Sequence, residues 1–367
     1  MNEMSADEMY WVWLSGLDGV FPKWFYMLQS VFLEPKKVWE CANDIQKQLP
    51  QFPKALAENI RKAKSAEYFD GLFEYLQEND ISFVTAVSGD YPYTLQSLTD
   101  PPPVLYYKGT LPTIWERSVS IVGTRKPTRN GVKTAQDMAA KIAAQGVLVV
   151  SGMARGIDTA AHTGALSAGG VTVAVLGTGV DEIYPKENKE LYHNIIESGA
   201  VVSEFRPKTP PIAGNFPQRN RIIAALTAAT IVSEGGVRSG ARITADIALT
   251  LGRQVFAIPC DIGSDVSSLP IGLLKSGAEL LSGSSDLMEA MGWKNRPAAN
   301  KKKDIKKYRL DFLQEQIYNS LLKGDMTLEM LADEMEVPIS QLGSALTMME
   351  MLGAVVCLPG NYFSVNV

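Results

Sequence analysis

Five arginines lie in or beside turns built from glycine and small hydroxyl residues, a combination suited to holding an anion. Gly123-Thr124-Arg125, Ser151-Gly152-Met153-Ala154-Arg155-Gly156, Gly177-Thr178-Gly179 and Glu234-Gly235-Gly236 each follow a short apolar run, and Arg238-Ser239-Gly240 opens a helical stretch at Ala241. Residues of this size let backbone amides approach a phosphate, and a helix start adds favourable dipole. Arginine contributes charge-assisted, bidentate donors. A single turn of this kind means little, since tight packing explains many of them. Several with Arg125, Arg155, Arg219, Arg221 and Arg238 predict an anionic ligand. Arg219 and Arg221 begin a helix within Asn215–Ile223 and project about 200° apart. One is therefore expected to face the ligand while the other is structural.

Catalytic readings find less support. The dinucleotide fingerprint is absent: Gly177-x-Gly179 is followed by Glu182 and sits on the wrong strand. Neither a phosphate-binding Gly-Lys-Ser/Thr nor a G-x-S-x-G elbow occurs. Asp158 and His162, four apart, fit acid–base work, but a capping Asp beside a partly buried His is the simpler reading. Asp181 and Glu182 read as capping residues rather than metal ligands. Glu234, before a Gly-Gly turn at a strand end, is the one carboxylate placed as a general acid would be.

The elements that must position these turns are short, continuous apolar strands alternating with Ala-rich helices. The strands are read as Val119–Val122, Val147–Val150, Val171–Leu176, Ala200–Ser203, Thr230–Ser233 and Gln254–Ile258. Apolar runs without alternation indicate burial on both faces, as in a parallel sheet. Gly146, Gly169-Gly170, Gly199 and Gly252 fall where helices would end. The fold class is α/β, a Rossmann-like doubly wound parallel sheet whose strand ends share one edge.

Two helical zones flank it. The first, residues 1–80, has an aromatic-rich helical pattern around Trp11, Trp13 and Trp24–Leu28, read as a small core rather than a base-stacking platform. Its Gly16-Leu17-Asp18-Gly19 turn weakly suggests a helix-hairpin-helix. Residues 81–293 hold the central domain, entered through Asp100-Pro101-Pro102-Pro103 and a strand from Val104, because prolines cannot continue a helix. Residues 294–309 form a basic linker with Lys301, Lys302, Lys303, Lys306, Lys307 and Arg309. Residues 310–367 read as a winged helix, with a helix capped by Ser340 running to Met351 and a wing of Ala354–Leu358 and Tyr362–Val365. A winged helix that reads duplex DNA needs basic residues on its recognition helix. Here no Lys or Arg follows Lys323, while Asp325, Glu329, Asp333, Glu334, Glu336 and Glu350 add negative charge. The module is therefore expected to bind protein.

Over 367 residues the net charge is -5, so a nucleic-acid site must be a local basic concentration. Cys41, Cys260 and Cys357 form no zinc spacing or disulfide framework, and two histidines make a His-based metal site improbable. The first residues show no signal-peptide pattern, and no apolar run is long enough to span a membrane. The expectation is a cytoplasmic protein without metal or cofactor.

The segments SIVGTRKPTRNG (Ser120–Gly131), SGMARGIDTAAH (Ser151–His162), VLGTGVDEIYP (Val175–Pro185), FPQRNRIIAAL (Phe216–Leu226) and SEGGVRSGARITADIAL (Ser233–Leu249) together resemble the DNA-processing protein A (DprA/Smf) family. The entry segment Tyr91–Gly109 matches as well, and the terminal zones resemble optional modules of the family, a SAM-like helical domain and a winged helix. The resemblance implies a non-enzymatic homodimer that binds single-stranded DNA, protects it and helps load the RecA recombinase during natural transformation. It also implies a phosphate pocket lined by Gly123, Arg125, Ser151, Gly152, Arg219, Arg221, Ser239 and Gly240; Arg155 joins them from its strand-end position. One departure is Leu269-Pro270-Ile271, where the family usually has Gly-x-Asn. The alternative is a nucleotide-processing phosphoribohydrolase on a related fold, with Glu234 catalytic, although the ordinary pattern of such enzymes has Pro-Gly-Gly with Gly-Thr and a later Glu, where this chain reads Ala245-Asp246.

Overall fold

The computed structural model describes residues 7–294, 310–321, 325–335, 337–358 and 361–365. Residues 295–309 of the basic linker, together with Lys323 and Glu336, lie outside the described residues. Between Glu8 and Glu78 the chain forms six short helices, from α1 (Glu8–Ser15) to α6 (Ala66–Glu78). Their aromatic residues interlock edge-on, as in Trp13 against Trp39 and Trp24 against Phe52. They pack into one core that also takes in Val104, Tyr106 and Val180 from the neighbouring sheet domain. The Gly16–Gly19 turn faces that domain too: Arg206 donates to Gly16 O at 3.3 Å and pairs with Asp18 at 2.9 Å.

The sheet has nine strands: β1 (Ser82–Thr85), β2 (Val104–Gly109), β3 (Ser118–Val122), β4 (Leu148–Ser151), β5 (Thr172–Val175), β6 (Ala200–Ser203), β7 (Ala229–Val232), β8 (Gln254–Ala257) and β9 (Glu279–Leu280). Their order is β1-β2-β6-β5-β4-β3-β7-β8-β9. From β6 to β9 all pairings are parallel, but β2 pairs antiparallel with β6, and β1 with β2. The sheet is thus mostly, not wholly, parallel: the entry segment adds an antiparallel margin. The six strands read from sequence are present with ends shifted by at most one residue; β1 and β9 are additions.

Both faces are covered, as the continuous apolar runs require. Alternate residues of one strand serve opposite cores: Val119 and Ile121 pack on one side, Val122 on the other. The crossover helices are α7 (Arg129–Ala143), α8 (Ile157–Ser167), α9 (Lys189–Ser198), α10 (Asn215–Leu226), α11 (Gly240–Thr250) and α12 (Ser268–Lys275), and α13 (Ser284–Ala290) follows the last strand. Strand order reverses between β3 and β7, which places the crevice expected of such sheets at Gly123 and Glu234.

Residues 310–365 contain α14 (Phe312–Leu321), β10 (Met326–Thr327), α15 (Leu328–Met335), α16 (Ile339–Met351), β11 (Val355–Leu358) and β12 (Tyr362–Val365). The strands pair antiparallel in the order β10-β12-β11, and the helices close a separate core around Leu331, Leu342 and Leu346. Ser340 does not cap α16. The helix begins at Ile339, two residues earlier than that cap would give, after Pro338, whose fixed φ suits a helix entry and which leaves the cap without a side-chain acceptor.

Candidate functional site

The switch-point crevice between β3 and β7 is filled by the protein's own carboxylate. Glu234, at the end of β7, accepts from Thr128 N–H at 2.7 Å and from Thr128 Oγ1 at 2.5 Å. Thr128 caps α7 and accepts from Gly131 N–H at 2.9 Å. The position at the start of α7 where a ligand phosphate would gain from the helix dipole is thus held by Glu234. Gly131 permits this, because a Cβ there would lie 2.2 Å from the Glu234 carboxyl carbon. Leu269, from the segment departing from the family pattern, closes the far side: its N–H donates to Gly235 O at 2.8 Å and its side chain lies against that glycine. Glu234 is buried with its hydrogen bonds made, so it behaves as a structural cap. Glu234→Gln should cost about 1–3 kcal/mol of stability in denaturant titration, because one Thr128 donor loses its charged acceptor.

The open site lies beyond Glu234, past β3 toward β4 and β5. A small pocket is lined by Arg125, Gly152, Ala154, Arg155, Tyr184, Pro185 and Phe216. Arg125 is exposed at the end of β3, with its guanidinium 5.4 Å from the Phe216 ring centre. Phe216 in turn meets Tyr184 at 5.4 Å, tilted by 46°. Arg155 stands exposed after β4 and pairs with Glu187 at 2.8 Å. A surface pair of this kind is weak and exchanges readily for a stronger anion. Two solvent-facing guanidiniums beside an aromatic wall can hold phosphate and stack a planar base.

The remaining residues expected in the site serve other partners. Ser151 is buried and donates to Ile121 O at 2.7 Å, stitching β4 to β3. Gly123 packs against Ile157 and Glu234 O at the filled switch point. Arg219 lies beneath the pocket floor, 3% exposed, donating to Gly152 O at 2.7 Å and to Val175 O. Burial lowers its pKa to about 10, so it stays cationic. Gly152 makes room for it: a Cβ there would sit 2.4 Å from the Arg219 guanidinium. Arg221 points away, to Glu204 and, at 3.6 Å, to Asp100. The offset of two does separate the arginines, but both are committed to protein partners. Ser239 caps α11, accepting from Ala241 N–H at 3.3 Å, and Gly240 O accepts from Asn220 Nδ2; neither lines the pocket.

Asp158 and His162 do not meet as an acid–base pair. Asp158 accepts from the Gly152 and Ala154 amides at 3.2 and 3.4 Å, and its pKa is raised by burial against the pull of Arg219. His162 Nδ1 contacts Thr172 Oγ1 at 2.7 Å, and burial lowers its pKa to about 3, leaving it neutral. Among the described residues no His/Cys/Asp/Glu group is arranged to hold a metal, and no helix is long and apolar enough to cross a membrane. Phe216 and Tyr184 were not singled out from sequence. Their only signal there is an aromatic residue beside proline in each segment, Tyr184-Pro185 and Phe216-Pro217.

The model of the family described as DNA recombination-mediator protein A matches residues 82–292. Protein Smf of Synechocystis is 35% identical over 293 residues, covering 78% of this chain and 73% of its own length. The structure of DNA processing protein A from Streptococcus pneumoniae superposes with a TM-score of 0.65 at 31% identity, over 78% of this chain and 98% of that one. DNA processing protein A from Helicobacter pylori, whose structure is described for its single-stranded DNA binding mode, gives 0.51 at 26% identity, over 59% and 97%.

Proposed function

The chain belongs to the DNA recombination-mediator protein A family, and from that premise we propose that it binds single-stranded DNA at the Arg125–Arg155–Phe216 pocket. One observation carries the reading: two exposed arginines converge on a ring pair in a pocket at the carboxyl edge of the sheet. A single strand can turn a phosphate toward the guanidiniums and unstack a base onto Phe216 or Tyr184. A duplex would have to be distorted to do the same. Arg219 and Gly152 support the floor. Ser151, Arg221, Ser239 and Gly240 belong to the frame that places it.

The role extends, on the family resemblance, to protecting incoming DNA and helping RecA assemble on it during transformation, as a cytoplasmic homodimer without catalysis. The division into 1–80, 81–293, 294–309 and 310–367 is part of the proposal. So are the SAM-like character of the first unit and the winged-helix character of the last, with its three helices and β10-β12-β11 sheet. The solvent face of α16 carries Gln341, Ser344, Thr347, Met348 and Met351 and no basic residue, which favours a protein partner over DNA. Removing residues 310–367 should leave single-strand affinity within about twofold, measured by titration at fixed salt; a tenfold loss would assign DNA binding to that module.

Hydrogen exchange tests the placement. Oligothymidylate should protect the amides of the turns bearing Arg125, Arg155 and Tyr184; protection confined to the carboxy-terminal module would overturn it. The phosphoribohydrolase reading gains nothing from Glu234, whose carboxylate is occupied by Thr128. Release of free base from nucleoside monophosphates, abolished by Glu234→Gln, would restore it.

A further inference from the structure

A second opening lies on the same sheet edge, between α6 and the segment that follows β6. It is lined by Tyr68, Leu72, Tyr75, Arg206, Pro207 and Lys208, with Glu67 at its rim. β6 is two strands from β4, about 10 Å along the edge. The loop after β5 separates the two openings and serves both. Its Tyr184 and Pro185 form part of the wall of the Arg125 pocket, while its Asp181 accepts from Tyr75 OH at 2.7 Å and from Lys208 N–H at 2.9 Å.

Lys208 is the unusual member. Its φ is +65°, a left-handed conformation that a lysine adopts only where the surroundings impose it. Here the imposition is visible, because the Asp181 carboxylate takes the Lys208 amide with both oxygens. The exposed side chain then lays its ammonium 3.6 Å from the Tyr75 ring centre. The acids nearby are largely spoken for. Asp181 is occupied by these bonds, and Asp18 pairs with Arg206 at 2.9 Å. Glu67 at the rim and the exposed Glu182, whose charge acts on the Tyr75 hydroxyl, are left as repelling charges. Tyr68, exposed at the start of α6, offers a further ring face.

Resting on the single-strand reading above, we propose that this cleft is a second subsite for the same strand, in which Lys208 takes a backbone phosphate and Tyr68 or Tyr75 stacks a base. A strand leaving the Arg125 pocket past Tyr184 would reach it after crossing β5 and β6. Stacking rings interleaved with cations are what a groove without sequence preference requires. The helical domain would then contribute directly to DNA affinity through α6.

The test compares oligothymidylates of about two and about sixteen nucleotides: at about 3.4 Å or more per nucleotide the shorter does not span the roughly 10 Å between the openings, and the longer does. Lys208→Gly removes the charge and relieves the backbone together, so the fold is kept. It should weaken the long oligonucleotide roughly three- to tenfold, leave the short one unchanged, and reduce the long strand's salt slope by about 0.7. Lys208→Arg should restore the long-strand affinity, and Glu67→Gln should raise it. Equal effects of Lys208→Gly on both lengths, or on neither, would overturn the subsite while leaving the pocket reading intact. Failure of the unaltered protein to bind either length would remove the pocket reading and the subsite with it.

Discussion

Arg125→Ala should weaken single-strand binding roughly ten- to a hundredfold, the loss expected for one charge-assisted phosphate contact of about 1.5–3 kcal/mol. The side chain is exposed and held chiefly by the Phe216 ring, so its removal should leave the unfolding midpoint nearly unchanged. The salt dependence should change with the affinity. Each phosphate contact to a single strand contributes about 0.7 to the slope of log K against log salt, and the variant should lose one such increment. Phe216→Ala should behave differently, weakening binding with the salt slope intact, because stacking releases no counterion. Titrations at several salt concentrations separate the two. An Arg125→Ala protein with normal affinity and slope would remove this arginine from the DNA path.

Arg221→Ala should act on stability instead. Arg221 lies buried against Glu204, whose side chain is 5% exposed, and Asp100 reaches it from the proline-rich entry segment. Breaking a buried pair from one side strands the other charge, at about 3–5 kcal/mol. Denaturant titration above about pH 7, where the Glu204 carboxyl is ionised, should show this loss in full. Arg221→Met with Glu204→Leu should recover much of it, since no charge is then left buried. The same cluster gives a pH dependence. Burial raises the Glu204 carboxyl from 4.5 to about 7, with Arg221 pulling the other way and Asp100 adding to the rise. The folded chain therefore keeps this proton to higher pH than the unfolded chain does. The stability it contributes is complete below about 4.5 and is lost as pH rises through about 7. In Glu204→Gln that component of the pH profile should vanish.

The parallel strands were legible because β3 to β8 are buried on both faces and so appear as unbroken apolar runs. β9 was not, since Glu279 and Leu280 are both exposed and only two residues long. β1 was missed for a related reason: its residues run from exposed Ser82 to buried Thr85, with a polar residue at each end. In the site, the arginines that end strands were legible by position, because parallel strand ends must share an edge. Which guanidiniums stay free was not. Arg219 and Arg221 differ from Arg125 in what packs above them, and packing depends on residues distant in sequence such as Gly152, Val175 and Glu204. Glu234 looked like an acid in a crevice because sequence does not reveal that Thr128 fills its hydrogen bonds. Phe216 and Tyr184 acquire meaning only when the loops after β5 and β6 bring them together.

The most direct test of the central claim is fluorescence anisotropy of a labelled single-stranded oligonucleotide on the full chain, challenged by unlabelled single strand or duplex of equal length. Unlabelled single strand should displace the probe at stoichiometric excess, and duplex should compete at least tenfold less well. Equal displacement by duplex, or no rise in anisotropy at all, would contradict a pocket built for a flexible strand.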